Sequence, residues 1–179
     1  MHSKISSSQA ESASCNSLKN EKPCPLDAYR LRPYQLEITT AVMDSVFCHK
    51  GITFSVEIAR QGGKNEISAR LQMAILCLFS NENKNMIKCA PTFHPQAMNS
   101  MARLADRLTD AGFGPFWKAQ HGNTVCLGNA RAIFLSADKM ANVVGNTAHL
   151  LLEIDEAQDV LKEKYTNLYY LQLDCFLGS

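Results

Sequence analysis

The sequence predicts an α/β fold in which helices flank a parallel sheet, and three features indicate it. Apolar residues alternate along 52–58, which is the pattern of a half-buried strand. A glycine-bearing turn follows, and apolar residues then recur at helical spacing over 67–78. Further along, a mostly apolar stretch over 150–154 ends in two adjacent carboxylates, Asp155 and Glu156. Strands that alternate with helices favour a parallel sheet whose ligand site lies at the carboxyl ends of the strands.

Composition limits the classes of protein that this chain can belong to. It has 179 residues, of which 46% are hydrophobic, so we expect one domain with a sizeable core. The net charge of +1 gives no bulk electrostatic case for nucleic acid, although a local patch could still bind it. Seven cysteines without a C-x-x-C pair indicate free thiols in a reducing cytoplasm. Without a membrane-spanning run or a signal-peptide core, we expect a soluble intracellular protein.

The remaining elements are predicted from local patterns. Residues 1–25 are serine-rich and poor in large apolar residues, so we expect a disordered tail. Apolar periodicity predicts a helix from Pro33 to about residue 49 and another from about residue 95 to 111. Short strands are predicted at 86–90, 125–127 and 132–135, the last two joined as a hairpin, with a loop over 136–147. The α/β domain is expected to span 26–160, followed by a divergent end over 161–179.

The turn before the second helix has the layout of a phosphate-binding loop. Glycines let backbone N–H groups face an anion, the helix N-terminus adds positive partial charge, and Lys64 can reach terminal phosphates. Gly63 and Lys64 fit the pattern G-x-x-x-x-G-K-[ST], but Ile58 replaces its first glycine and Asn65 its metal-binding hydroxyl. The loop alone is therefore a weak signal.

The carboxylate pair strengthens the interpretation. At the end of a strand, Asp155 can hold Mg²⁺ and Glu156 can orient or deprotonate an attacking water. Upstream, Tyr34 can stack on adenine while the amide of Gln35 hydrogen-bonds its edge. Together with Lys64, these residues favour an ATP-binding P-loop domain. The alternatives are a solvated strand end and an ordinary helix start in which Tyr34 packs.

These stretches resemble the ATPase domain of the large terminase subunit of tailed bacteriophages, a P-loop NTPase of the RecA-like (ASCE) type that packages DNA. In that family an Arg-Gln pair precedes x-Gly-Lys. The matching stretches here are Arg60-Gln61-Gly62-Gly63-Lys64, Leu31-Arg32-Pro33-Tyr34-Gln35 and Ile154-Asp155-Glu156-Ala157-Gln158. The resemblance covers about residues 31 to 160.

The resemblance implies ATP and Mg²⁺ as cofactors and assigns a role to each residue of the site. Lys64 would pair with the β- and γ-phosphates, Arg60 would contact the γ-phosphate, and Glu156 would act on water. Asp155 would hold Mg²⁺ together with Asn65. The expected nucleotide-binding residues are Tyr34, Gln35, Arg60, Gln61, Gly62, Gly63, Lys64 and Asn65. For Arg60 the alternative is an ordinary surface charge.

The resemblance also implies partners: double-stranded DNA, the small terminase subunit, the portal protein and a homo-oligomeric ring in the bacterial host cytoplasm. No coupling motif or nuclease domain follows the carboxylates, so we expect an incomplete domain from a truncated gene, a prophage remnant. Two alternatives stay open. One is a fragment of a superfamily-2 helicase-like translocase, and the other is a catalytically inactive nucleotide-binding or scaffold fragment, which Asn65 favours.

Overall fold

The computed structural model describes residues 31–137 and 147–160, which form three helices and five strands. The helices are α1 (Pro33–Phe47), α2 (Lys64–Leu78) and α3 (Met98–Leu108). The strands are β1 (Asn85–Ala90), β2 (Trp117–Gln120), β3 (Thr124–Leu127), β4 (Ala130–Ser136) and β5 (Leu151–Ile154). Helical turns over Phe93–Ala97 and Thr109–Phe113 flank α3, and a turn over Ala157–Asp159 follows β5. All three predicted helices are confirmed, as are four of these strands; β2 was not predicted.

The five strands form one mixed sheet in the order β2-β3-β4-β1-β5. Strand β1 runs parallel to both β4 and β5, whereas β2, β3 and β4 are antiparallel neighbours. The predicted β3–β4 hairpin is confirmed, but the expectation of a sheet that is parallel throughout is wrong, because β2, β3 and β4 are antiparallel. The physical reason is loop length, since residues 121–123 and 128–129 are hairpin turns and a parallel crossover needs about a dozen residues or more.

The strand predicted at 52–58 is also wrong, because residues 51–59 have no regular structure and pair with no strand of the sheet. Ile52, Phe54 and Val56 keep 49%, 39% and 40% of their surface exposed. Alternating apolar residues form a strand only where a partner binds the backbone and covers the apolar face. No strand in the described part of the chain pairs with this segment.

The main core lies between the sheet and the helices. Helices α1, α2 and α3 all bury side chains there, and Ile75, Leu76, Leu104 and Leu108 are fully buried. A smaller cluster occupies the other face of the sheet, formed by Ile87, Cys89, Ile133, Leu135 and Ala148. Successive side chains of a strand point to opposite faces, so Lys88 shares the helix-covered face with Met86 and Ala90.

The parallel strands bring two distant parts of the chain to one edge of the sheet. In the β1–β5 pair, Cys89 lies opposite Ile154, and the next backbone N–H, that of Asp155, donates to the Cys89 carbonyl at 2.8 Å. Helix α2 begins at Lys64, which contacts Asp155 at this edge. The carboxyl end of β5 and the N-terminus of α2 therefore meet.

Some predictions fall outside the described residues. They concern the tail over 1–25, most of the loop over 136–147 and the end over 161–179. Within residues 31–137 and 147–160, no helix is both long and apolar enough to cross a membrane.

Candidate functional site

The loop before α2 adopts a backbone that requires glycine at two positions. Gly63 has a φ of +82°, in the left-handed region, and its carbonyl accepts the first backbone hydrogen bonds of α2 at 3.0 Å. At Gly62 a Cβ atom would lie 2.3 Å from Ile58 Cγ2 and 2.9 Å from the Ala59 carbonyl oxygen. Gln61 is also left-handed, with a φ of +64°. The Gly-Gly sequence therefore permits the tight bend that leads into Lys64.

The first turn of α1 holds this loop through a single carbonyl group. The Tyr34 hydroxyl donates to the Gly62 carbonyl oxygen at 2.6 Å, and Nε2 of Gln35 donates to the same oxygen at 3.2 Å. Gln35 is buried, whereas Tyr34 remains 38% exposed. The two residues expected to recognise adenine thus support the loop backbone in this structure. Contact with a base stays a prediction.

Lys64 joins the loop to the carboxylates that follow β5. Its ammonium group lies 2.8 Å from Oδ1 of Asp155 and donates a short hydrogen bond to Oε1 of Glu156. Asp155 is more enclosed than its partners, with 11% of its side chain exposed against 40% for Lys64 and 36% for Glu156. The two stretches that the sequence pointed to separately therefore lie in direct contact.

Electrostatics favour the charged forms of all three groups. Burial alone would lower the pKa of Lys64, but hydrogen bonds to Asp155 and Glu156 outweigh it and raise that pKa. Burial would likewise raise the pKa of Asp155, yet the Lys64 hydrogen bond and the charge of Lys88 hold it below its usual value. The hydrogen bond from Lys64 lowers the pKa of Glu156, with a further contribution from Gln158. The site is thus an ionised cluster at neutral pH.

Neighbouring groups also orient the two carboxylates. The backbone N–H of Glu156 donates to Oδ1 of Asp155 at 3.0 Å, and Nε2 of Gln158 donates to Oε2 of Glu156 at 2.6 Å. Glu156 has a φ of +47°, a conformation uncommon for a residue with a side chain. This bend points the adjacent carboxylates into one cluster with Lys64.

Arg60 and Asn65 are predicted site residues that lie outside this cluster. Both are exposed, and neither side chain makes a hydrogen bond or ion pair with any residue in the described ranges. Arg60 precedes the bend, and Asn65 is the second residue of α2. Their predicted contacts with phosphate and metal therefore require a ligand.

A buried polar network, which the sequence analysis did not identify, lies behind the cluster. Lys88 on β1 is 3% exposed, and its ammonium group donates to Ser68 Oγ at 2.7 Å and to Glu153 Oε1 at 2.8 Å. Ser68 and Gln72 on α2 donate to the two oxygens of Glu153 at 2.6 and 2.7 Å. Lys88 also lies 3.8 Å from Oδ2 of Asp155. The network connects α2, β1 and β5 beneath the loop.

A signal for this network is present in the sequence. Lys88 and Glu153 each interrupt an otherwise apolar strand, and the β1–β5 register places them directly opposite each other. A charged group inside a sheet is costly unless it is paired, so two such interruptions of opposite sign predict a pair. That inference needs the strand pairing, which the sequence alone does not provide.

The oxygen ligands at this site suit Mg²⁺. The residues of 31–137 and 147–160 contain no group of three or more His, Cys, Asp or Glu side chains placed to hold a metal ion. Mg²⁺ does not need such a group, because it keeps several waters and binds through one or two carboxylates together with substrate phosphates. Asp155 is a largely enclosed, ionised carboxylate at the end of a strand beside a helix N-terminus. The chain could therefore hold Mg²⁺ together with a phosphate ligand.

A separate cleft of about 520 Å³ lies by the β3–β4 hairpin. Its lining includes Phe93, His121, Arg131 and Ser136, and none of the predicted site residues lines it. It therefore contributes nothing to the cluster around Lys64.

Comparisons with protein-family models, with curated proteins and with solved structures found no match for this chain. Its function is consequently inferred from its own residues and their geometry.

Proposed function

We propose that this chain is an ATP-binding and ATP-hydrolysing domain of the kind found in the large terminase subunit, where hydrolysis drives DNA translocation. The observation that carries the proposal is the contact of Lys64 with Asp155 and Glu156. Glu156 lies 92 positions further along the chain, and Asp155 immediately precedes it. A phosphate-binding loop and a carboxylate pair need to be adjacent to act on one nucleotide. Their adjacency supports the proposal.

Each residue of the cluster has a role in this function. Lys64 would leave its carboxylate partners for phosphate oxygens, while the backbone N–H groups of 61–65 and the α2 N-terminus attract the same anion. Asp155, aided by Asn65, would hold Mg²⁺, which neutralises developing charge on the phosphates when it is bound. Glu156 would then be released from Lys64 to orient or deprotonate the attacking water. Arg60 is free to turn toward the γ-phosphate.

The proposed partners follow from the resemblance to terminases. Double-stranded DNA would be the translocated substrate, and the small terminase subunit and the portal protein would complete the motor. Stimulation of ATP turnover by double-stranded DNA, compared with the turnover of protein alone, tests the DNA part. Unchanged turnover over a range of DNA concentrations would count against it.

The nucleotide part is tested by measuring ATP binding and turnover with Mg²⁺. Lys64→Ala should lose binding, because it removes the cation that faces the terminal phosphates. Glu156→Gln should keep binding and lose turnover, since an amide cannot take a proton from water. Two exposed residues provide matched controls: Lys118→Ala on β2 and Glu37→Gln on α1, which should both behave as wild type.

Other outcomes would favour the alternatives. Binding without turnover in the wild type would indicate an inactive nucleotide-binding fragment. No binding by a protein that unfolds cooperatively would remove the nucleotide function altogether. A helicase-like translocase would be favoured if single-stranded nucleic acid stimulated turnover more strongly than duplex DNA.

A further inference from the structure

The cluster beside α2 contains two ammonium groups and three carboxylates: Lys64, Lys88, Glu153, Asp155 and Glu156. The two oxygens of Asp155 face different lysines, since Oδ1 lies 2.8 Å from Lys64 and Oδ2 lies 3.8 Å from Lys88. When all five groups are ionised, the cluster has one negative charge in excess. The affinity of Asp155 for a divalent cation would depend on this net charge.

The two lysines differ in how firmly they are held. The Lys64 side chain is 40% exposed, so another anion can reach its ammonium group. The Lys88 side chain is 4% exposed, and Ser68 and Glu153 hold its ammonium group in place. Lys88 is therefore the neighbour of Asp155 that stays in place, and Glu153 is the carboxylate paired with it.

We propose that the Lys88–Glu153 pair sets the affinity of Asp155 for a divalent cation. The Lys88 ammonium group, 3.8 Å from Oδ2 of Asp155, repels a cation held there, and Glu153 offsets that repulsion. The inference rests on the proposed function, which assigns Asp155 as the cation ligand. Lys88 and Glu153 act through Asp155, so both are positioning residues.

Charge arithmetic gives the two single variants opposite effects. Lys88→Met makes the cluster more negative and should tighten cation binding by roughly tenfold, whereas Glu153→Gln should weaken it by roughly tenfold. The double variant has the same net charge as the wild type and should return to within about threefold of its affinity. A pair that acted only in packing would not produce opposite shifts that cancel.

The experiment uses the full chain and Mn²⁺ as the probe, with free Mn²⁺ measured by electron paramagnetic resonance at a fixed excess of inorganic phosphate and without nucleotide. Binding of ATP with Mg²⁺ is measured separately by calorimetry. Lys118→Met and Glu37→Gln make the same chemical changes at exposed sites and should leave the Mn²⁺ constant unchanged. Urea unfolding of each variant establishes that it is folded.

The outcomes separate this inference from the proposed function. Opposite shifts that cancel in the double variant support the inference, even if the wild type binds no ATP, in which case only the nucleotide function falls. ATP binding with shifts in the same direction, or with none, overturns the inference alone. A wild type that binds no Mn²⁺ overturns it as well. If Lys88→Met does not fold, Glu153→Gln decides, and an unchanged or tighter Mn²⁺ constant overturns the proposal.

Discussion

The Lys64 ammonium group lies 2.8 Å from Oδ1 of Asp155, and this ion pair joins the loop before α2 to the end of β5. The pair satisfies a carboxylate that is only 11% exposed and keeps the loop lysine close to the strand end. A polyphosphate at the α2 N-terminus would compete for the same lysine. Ligand binding is therefore expected to exchange ion pairs at this site, which limits the net change in its charge.

The Tyr34 hydroxyl is expected to act on the loop. Tyr34→Phe removes its hydrogen bond to the Gly62 carbonyl oxygen and should lower the free energy of unfolding by about 0.5–1 kcal/mol. The ring is retained, so affinity for ATP and for tripolyphosphate should fall by the same factor. Binding constants for the two ligands check this. A loss confined to ATP would instead assign the hydroxyl to base recognition.

The space around Gly62 predicts a strong effect of one methyl group. Gly62→Ala should lower the free energy of unfolding by about 1–3 kcal/mol, because the new Cβ would meet the Ala59 carbonyl oxygen at 2.9 Å. Gly114→Ala is the matched control, since a Cβ atom there would lie 3.6 Å from Thr109 Cγ2, an ordinary van der Waals distance. Urea unfolding measures both. If both variants lost the same unfolding free energy, the loop would accommodate the Cβ atom at Gly62 without a measurable loss of stability.

Protonation of Asp155 and Glu156 at low pH should lower the free energy of unfolding. Their pKa values are lower in the folded protein than the ordinary 3.8 and 4.5, so their stabilising contribution is complete above those values. This contribution is lost as the pH falls below 4.5 and 3.8 and passes through the lower pKa values that the two carboxyl groups have in the folded protein. Asp155→Asn should therefore show a shallower decline of unfolding free energy with acid than the wild type. Parallel curves from a pH series of urea titrations would contradict this.

Thiol labelling should report on the opening of the sheet. Cys89 is fully buried, and burial raises its pKa to about 12, so it should react with iodoacetamide only after unfolding. Cys48 is exposed and should react in the folded protein. Peptide mass spectrometry over time, with and without urea, measures both rates. Similar rates in native buffer would mean that β1 opens without global unfolding.

Local patterns in the sequence predicted most elements but not the whole sheet. The helices and the strands β1, β3, β4 and β5 have clear apolar periodicity. Strand β2 has little, since Lys118, Ala119 and Gln120 are exposed at the sheet edge. The error at 52–58 has the opposite cause: the alternation is clear, but no described strand pairs with it. Pairing between strands is a tertiary property that periodicity does not contain.

The same distinction applies to the site. The proximity of Lys64 to Asp155 and Glu156 could be predicted, because each belongs to a local motif with a known chemical role. The buried Lys88–Glu153 network could not be predicted, because these two residues become partners only through the register of β1 and β5. The bonds of Tyr34 and Gln35 to Gly62 likewise depend on how α1 packs against the loop.

The 92 positions between Lys64 and Glu156 have a consequence for biosynthesis. Translation adds about 5–20 residues per second, so the loop leaves the ribosome roughly 5–20 s before its carboxylate partners. Nascent chains arrested before β5 are expected to display a lysine without its intramolecular anions, and labelled tripolyphosphate would reveal it. Failure of such arrested chains to retain tripolyphosphate would contradict this expectation. Under the proposed function, the growing chain would bind phosphate before it could hydrolyse ATP.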